Sequence, residues 1–150
     1  EKIQSYCAYQ DRCHKEVTTK LRSWGLISDA IDLLIGELIQ FNFLNEERYA
    51  RSFARGKFRI KKWGRMKIRM ELKKRDIYFK CIHFAMEEID DKAYFETLKE
   101  VLQKKNELEK EKDPYKRKAK LTRYLVSRGF EYDLIREALE ELDYFSTSSE

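Results

Sequence analysis

Hydrophobic residues recur along this chain in a pattern that returns at offsets of 51 and then 53 residues. The corresponding positions are Val17, Ile68 and Leu121; Leu21, Leu72 and Leu125; Leu26, Ile77 and Phe130; Ile31, Ile82 and Ile135; Leu34, Ala85 and Ala138; Ile35, Met86 and Leu139; Leu38, Ile89 and Leu142. Within each copy these residues fall at helical spacing on either side of a short break. Each copy is therefore predicted to hold a helix, a tight turn and a second helix.

The breaks fall at Gly25, Asp76 and Gly129, where the chain needs a residue that tolerates a left-handed helix cap. A repeat of about fifty residues leaves room for one more helix in each copy. These helices are predicted over residues 3–11, 45–62 and 92–111, with Asn45 as an N-cap. Pro114, after Asp113, is predicted to open the helix that follows.

The low content of turn residues, five Gly and one Pro in 150 residues, also favours helices over strands. The predicted fold is all-α, with about nine helices in three tandem three-helix repeats. Because one helix pair buries little apolar surface, we expect the repeats to stack into an elongated array. The predicted boundaries are residues 1–43, 44–91 and 92–145, with a tail at 146–150.

Positive charge is confined to one stretch of the chain. Residues 48–75 hold thirteen Lys or Arg and one acid, Glu71, a local charge of +12 (13 − 1) in a chain whose net charge is +5. A solvated face normally mixes both signs of charge, so this stretch is predicted to bind a polyanion. Arginine clusters suit phosphates and also the carboxylates of an acidic protein, and charge alone does not choose between them.

The basic residues are predicted to form stripes on two helices that meet at a corner, Trp63-Gly64. Tyr49, Phe53 and Ile60 lie away from the first stripe and are expected to face the core. Trp63 is a candidate for stacking on a base, although a corner tryptophan more often packs under the next helix. The candidate binding residues are Arg48, Arg51, Arg55, Lys57, Arg59, Lys61, Lys62, Arg65, Lys67, Arg69, Lys73, Lys74 and Arg75.

The sequence offers no catalytic or cofactor-binding pattern. The three cysteines (Cys7, Cys13 and Cys81) have no framework spacing and are predicted to be reduced, buried thiols of a cytoplasmic protein. The two histidines lack partners at metal spacing, and no phosphate loop or nucleophile motif is present. We expect a monomeric non-enzyme without cofactor, metal, signal peptide or membrane span. The native N-terminus is expected to be missing, since the chain lacks an initiator Met.

The segment FLNEERYARSFARGKFRIKKWGRMKIRMELKKRDI resembles the core signature of RecX, the bacterial regulator of the RecA recombinase. The third copy, KAKLTRYLVSRGFEYDLIREAL, is similar to the C-terminal repeat of that family. Asn45 and Glu46 replace the usual acidic pair, and Asp76 replaces the turn glycine. The matching positions are Leu44, Arg48, Tyr49, Ala50, Phe53, Gly64, Ile68, Leu72 and Ile77.

The resemblance implies a protein of DNA repair, recombination and the SOS response that binds RecA and its filament on DNA. RecX-like proteins lie along the filament groove and modulate RecA, usually negatively, and some bind DNA directly. Because positive charge is confined to the second copy, this copy would contact the filament, while acidic first and third copies would space it and contact protein. The contacts are predicted to come from Arg48, Arg51, Arg55, Arg59, Lys62, Arg65, Arg69 and Lys73. Two alternatives stay open: a generic DNA-binding helical protein, and a repeat scaffold for an acidic protein partner.

Overall fold

The computed structural model describes the backbone of residues 1–148 and the side chains of residues 1–143. The described part consists of nine helices joined by short turns, without a strand. The helices are α1 (Lys2–Tyr9), α2 (His14–Ser23), α3 (Ser28–Gln40), α4 (Glu46–Arg59), α5 (Arg65–Lys74), α6 (Phe79–Met86), α7 (Asp91–Leu108), α8 (Pro114–Ser127) and α9 (Tyr132–Ser148). The predicted all-α fold is confirmed.

The three predicted breaks share one backbone conformation. Gly25, Asp76 and Gly129 have φ values of 84°, 56° and 98°, the left-handed region in which a helix can be terminated. In each turn the next amide donates to a carbonyl five residues earlier: Leu26 to Leu21, Ile77 to Leu72 and Phe130 to Leu125, at 3.1–3.3 Å. This shared hydrogen bond shows that the hydrophobic repeat corresponds to a structural repeat.

The chain forms two compact units. The first consists of Glu1–Arg55 and Glu71–Glu88, and the second of Gly56–Met70 and the described residues from Ile89 onward. The core of the first unit includes a cluster of Ile3, Cys7, Val17, Leu21, Ile31, Leu38 and Leu44. The predicted repeat boundaries stay a prediction, and the predicted tail at 146–150 lies outside the residues whose side chains are described.

Aromatic residues connect the buried elements of the second unit. Tyr94 on α7 lies 5.9 Å from Phe58 and 5.4 Å from Phe130, measured between ring centroids. Tyr94 and Phe130 are nearly or fully inaccessible to solvent, as are Leu125 and Ile135 on α8 and α9. These contacts fix the start of α7 and the turn before α9 against the last part of α4.

A close contact between backbones joins α8 to the turn between α4 and α5. The Gly64 amide donates to the Arg128 carbonyl at 2.8 Å, and the Met66 amide donates to the Gly129 carbonyl at 3.0 Å. A Cβ atom at Gly64 would lie 2.2 Å from the carbonyl carbon of Gly129, so only glycine fits at position 64. The basic turn of residues 60–64 is therefore held against the C-terminal end of α8.

Two details of the predicted α4 region are wrong. The helix ends at Arg59 and not at residue 62, because Lys62 adopts a left-handed φ of 56°. Ile60 does not face the core: it lies beyond the helix end and its surface is 79% exposed. Asn45 does cap α4, since its side-chain oxygen accepts from the Arg48 amide at 2.9 Å.

No helix in the described part of the chain is long and apolar enough to span a membrane.

Candidate polyanion-binding surface

The thirteen predicted cations lie on α4, on the turn after it, and on or directly after α5. Six belong to the first unit (Arg48, Arg51, Arg55, Lys73, Lys74 and Arg75) and seven to the second (Lys57, Arg59, Lys61, Lys62, Arg65, Lys67 and Arg69). They are not equivalent, because many are engaged by acids of their own unit.

In the first unit, two arginines of α4 face carboxylates. Arg51 donates to Glu47, Glu87 and Glu88 at 3.2–3.3 Å, and Arg55 pairs with Glu88 at 3.0 Å. Both guanidinium groups are therefore largely neutralised within the unit. Since a phosphate would have to displace these carboxylates, Arg51 and Arg55 serve first to attach α4 to the residues after α6.

Three other cations of the first unit are also paired. Arg48 donates to Asp11 at 2.6 Å, which connects α4 to the segment before α2. After α5, Arg75 and Lys74 donate to Glu71 at 3.0 and 3.2 Å. The hydrogen bonds from Arg75 and then Lys74 lower the pKa of Glu71, which stays ionised and offsets their charge.

Arg65 is the most engaged cation of the second unit. Its guanidinium donates to Glu131 at 2.9 Å and to Asp91 at 2.6 Å, and lies 3.9 Å from the centre of the Tyr94 ring. The Arg65 amide donates to the Tyr94 hydroxyl at 3.0 Å, and that hydroxyl donates to Glu131. Burial and then the bond to Glu131 raise the pKa of Tyr94. Arg65 is thus part of a structural network.

Two lysines contact the ring of Trp63. The Lys57 and Lys67 ammonium groups are 4.9 and 4.5 Å from the centre of the indole ring. Base stacking by Trp63, which stays a prediction, would have to compete with these cation–π contacts. Lys62 donates to Glu100, and this hydrogen bond lowers the pKa of Glu100.

Three cations of the second unit remain open to solvent: Arg59, Lys61 and Arg69, here called the open basic set. Among the side chains that the structure describes, none of these three forms an ion pair or lies over an aromatic ring. Lys73 in the first unit has the same property. These four are the candidate residues that can meet a partner without breaking an intramolecular contact.

Apolar side chains accompany the open basic set along the chain. Ile60, Met66 and Met70 are 79%, 56% and 48% exposed. Arginine and methionine are enriched in protein interfaces, whereas lysine is depleted. The mixture of arginine with exposed apolar side chains therefore favours an acidic protein surface as the partner of this set.

The sequence alone does not predict the acids that neutralise the paired cations. Glu87 and Glu88 lie 36 and 37 residues after Arg51, and Glu131 lies 66 residues after Arg65. Asp90 caps α7 by accepting a hydrogen bond from the Ala93 amide, whereas its neighbour Asp91 binds Arg65.

The thiols offer no reactive group. Cys7 and Cys13 are buried as predicted, whereas Cys81 is only half-buried, and all three are free. Burial raises the pKa of the Cys13 thiol to about 11, so it is protonated at neutral pH. Within the described residues, no cluster of His, Cys, Asp and Glu could hold a metal ion.

Fold and surface together define a tandem three-helix repeat protein with a basic turn. Two family models match the chain: "RecX, second three-helix domain" over residues 45–82 and "RecX, third three-helix domain" over residues 92–139. The chain belongs to the RecX family, as the sequence resemblance predicted.

Relatives and solved structures agree with this assignment. "Regulatory protein RecX" of Prosthecochloris aestuarii is 30% identical, with 91% of this chain and 88% of the relative covered. That of Clostridium botulinum (strain Eklund 17B / Type B) is 34% identical over 87% of this chain, which spans only 61% of the relative's length. The crystal structure of RecX from Lactobacillus salivarius superposes with a TM-score of 0.85 at 29% identity, covering 95% of this chain and 93% of the other.

Proposed function

We propose that this chain regulates the RecA recombinase by binding RecA and its filament on DNA, and that it lowers RecA activity. The observation that carries the proposal is membership of a family whose curated relatives are named regulatory proteins. RecA is the partner that the sequence resemblance implies. The protein would act as a monomer in the cytoplasm, where RecA works on DNA.

The open basic set supplies the contact surface in this proposal. Arg59, Lys61 and Arg69 are exposed, and their charge is available to an acidic protein surface. The exposed Ile60 and Met66 beside them add apolar area that charge pairing alone would lack. This assignment narrows the thirteen predicted residues to three cations of the second unit that engage a partner without breaking an ion pair or a cation–π contact.

The test is ATP hydrolysis by the cognate RecA on single-stranded DNA, titrated with this protein at substoichiometric amounts. DNA is held in excess so that competition for free DNA cannot explain a loss. A fall in turnover supports a regulator directed at the filament. Unchanged turnover together with salt-sensitive binding to naked DNA would replace the proposal with the generic DNA-binding alternative.

A direct comparison of binding partners distinguishes the proposed RecA regulator from the remaining alternative, a repeat scaffold for an acidic protein partner. Binding of the labelled protein is measured against RecA filaments, naked single-stranded DNA and free RecA at the same ionic strength. The proposal expects the filament to be bound more tightly than naked DNA. Equal binding to unrelated acidic proteins, with no preference for RecA, would favour a general scaffold for acidic partners.

A further inference from the structure

Helix α8 is the second basic element of the chain, and its positive charge is less evident in the sequence than that of residues 48–75. Residues 114–130 contain six Lys or Arg and no Asp or Glu. The expectation of an acidic third copy is wrong, because residues 92–145 hold thirteen basic and twelve acidic residues, a net charge of +1. Charge in this copy is unevenly distributed, because residues 114–130 hold six of its thirteen cations and none of its acids.

Two of the six cations have internal roles. Arg117 donates to the carbonyls of Glu109 and Glu111 at 2.7 and 2.8 Å and to the side chain of Asn106, which closes the loop between α7 and α8. The Arg128 guanidinium donates to the Lys61 carbonyl of the basic turn. These two residues hold the ends of α8 in place and are not available to a ligand.

Three cations share the solvent side of the helix. Lys116, Lys120 and Arg123 are spaced by four and three residues, which places them on one face, opposite the buried Leu121 and Leu125. They are here called the α8 face. Within the described side chains, Lys116 and Arg123 form no ion pair, while Lys120 lies 3.5 Å from Glu111 and 3.8 Å from Glu109 and stays 45% exposed.

The composition of the α8 face fits a nucleic-acid strand better than a protein. Two of its three cations are lysines, which are depleted in protein interfaces but are ordinary phosphate ligands. Successive cations one turn apart are separated by about 5–6 Å along the helix, a spacing at which neighbouring phosphates of a flexible strand can be met. Tyr115, 86% exposed at the first turn of α8, offers a ring on which a base can stack.

The surroundings give such a strand a path along the unit. Ala119 and Ser127 are exposed on the same side as the α8 face, and these two positions present only small side chains to the backbone of a ligand. At its far end α8 is bonded to the basic turn through the Gly64 amide and the Arg128 carbonyl, where Lys61 is exposed. Both basic elements of the second unit therefore meet at this end.

We propose that the α8 face, Lys116, Lys120 and Arg123, binds the phosphate backbone of single-stranded nucleic acid, with Tyr115 stacking on a base. This surface is separate from the open basic set and does not depend on RecA as the partner. It gives the chain a nucleic-acid contact of its own, in the repeat that was expected to contact protein.

The test uses the whole chain and a fluorescent single-stranded DNA oligonucleotide without RecA, over a range of salt concentrations. The variant Lys116→Gln, Lys120→Gln, Arg123→Gln removes the charges but keeps helix-forming side chains. Since each phosphate contact with a single strand contributes about 0.7 to the slope of log affinity against log salt, the slope should fall by about 2. Affinity at low salt should fall at least about tenfold.

A control variant removes the same charge elsewhere. Lys2→Gln, Lys80→Gln, Lys92→Gln replaces three exposed lysines outside α8 and should leave the slope within error of the unchanged protein. Tyr115→Ala should weaken binding without changing the slope, because stacking releases no counterion.

Three results would overturn the inference. The first is absence of single-stranded DNA binding by the unchanged protein. The second is an equal slope in the α8-face variant and the control variant. The third is retention of DNA binding by the α8-face variant while its binding to polyglutamate is lost, which would assign the surface to an acidic protein. Circular dichroism of each variant shows whether the helices are retained.

Discussion

Helices α4 and α8 are both fourteen residues long and each carries five cations, yet their charges have different roles. On α4, Arg48, Arg51 and Arg55 are bound by acids of the same unit. On α8, Lys116 and Arg123 point to solvent without an ion pair among the described side chains. Two helices with the same number of cations therefore differ in how much of that charge is open to a partner.

The difference follows from the neighbours of each helix. The α4 arginines lie near Glu87 and Glu88, whereas on the α8 face only Lys120 has acids nearby among the described side chains, Glu109 and Glu111. Arginine, with its planar group, can satisfy several carboxylates at once, as Arg51 does with three. Local charge density therefore identifies a basic segment, but the pairing of each cation decides whether the segment can bind a partner.

The largest effect is expected at Arg65, the extreme example of a paired cation. Arg65→Ala removes the contacts with Glu131 and the Tyr94 ring and leaves a half-buried carboxylate without its cation. The free energy of unfolding should fall by about 2–3 kcal/mol, measured by urea denaturation. A change below about 0.5 kcal/mol would show that the network around Tyr94 does not stabilise the second unit.

A smaller loss of stability is expected on α4. Arg51→Ala with Arg55→Ala should lower the free energy of unfolding by about 1 kcal/mol, because partly exposed pairs contribute little each. The matched variant Arg59→Ala with Lys61→Ala removes the same charge from solvent-exposed positions and should change stability by less than about 0.5 kcal/mol. Equal losses in the two variants would erase the distinction between paired and open cations.

The reverse change should make α4 behave like α8. Glu87→Gln with Glu88→Gln releases Arg51 and Arg55 from their carboxylates, so affinity for single-stranded DNA at low salt should rise severalfold. Glu137→Gln with Glu140→Gln makes the same change of net charge at exposed positions of α9 and serves as the control. An equal rise in both variants would mean that net charge, and not the release of arginines, governs binding.

The smallest effect on stability is expected on α8. Lys116→Gln with Arg123→Gln should leave the free energy of unfolding within about 0.5 kcal/mol, since neither side chain has an ion-pair partner among the described residues. Thermal denaturation followed by circular dichroism measures this. A loss near 2 kcal/mol would show that these residues have a structural role and would remove the contrast with α4.

The fold could be predicted because it rests on local signals that recur. The three turns at Gly25, Asp76 and Gly129 share one left-handed cap, and apolar residues at helical spacing surround each of them. The end of α4 was predicted three residues too late because Lys62 adopts a left-handed conformation without the glycine that usually marks one. Ile60 was assigned to the core for the same reason.

The candidate site was predictable only in part. Composition located the basic segment, and hence most cations that a partner could meet. Pairing depends on residues distant in sequence, such as Glu131 with Arg65, and no local pattern reports it. The α8 cations were overlooked because acids elsewhere in residues 92–145 balance them in any sum over the third copy.

The most direct test of the central claim compares open and paired cations in one assay. Inhibition of DNA-dependent ATP hydrolysis by the cognate RecA is titrated with the unchanged protein, with Arg59→Ala, Lys61→Ala, Arg69→Ala, and with Arg51→Ala, Arg55→Ala. The protein concentration that gives half-maximal inhibition should rise about tenfold or more for the variant of the open basic set, which corresponds to a loss of about 1.4 kcal/mol of binding free energy. For the paired-arginine variant, once it is shown to be folded, this concentration should change less than about threefold. A larger shift in the paired-arginine variant would contradict the assignment of the binding surface to the open basic set.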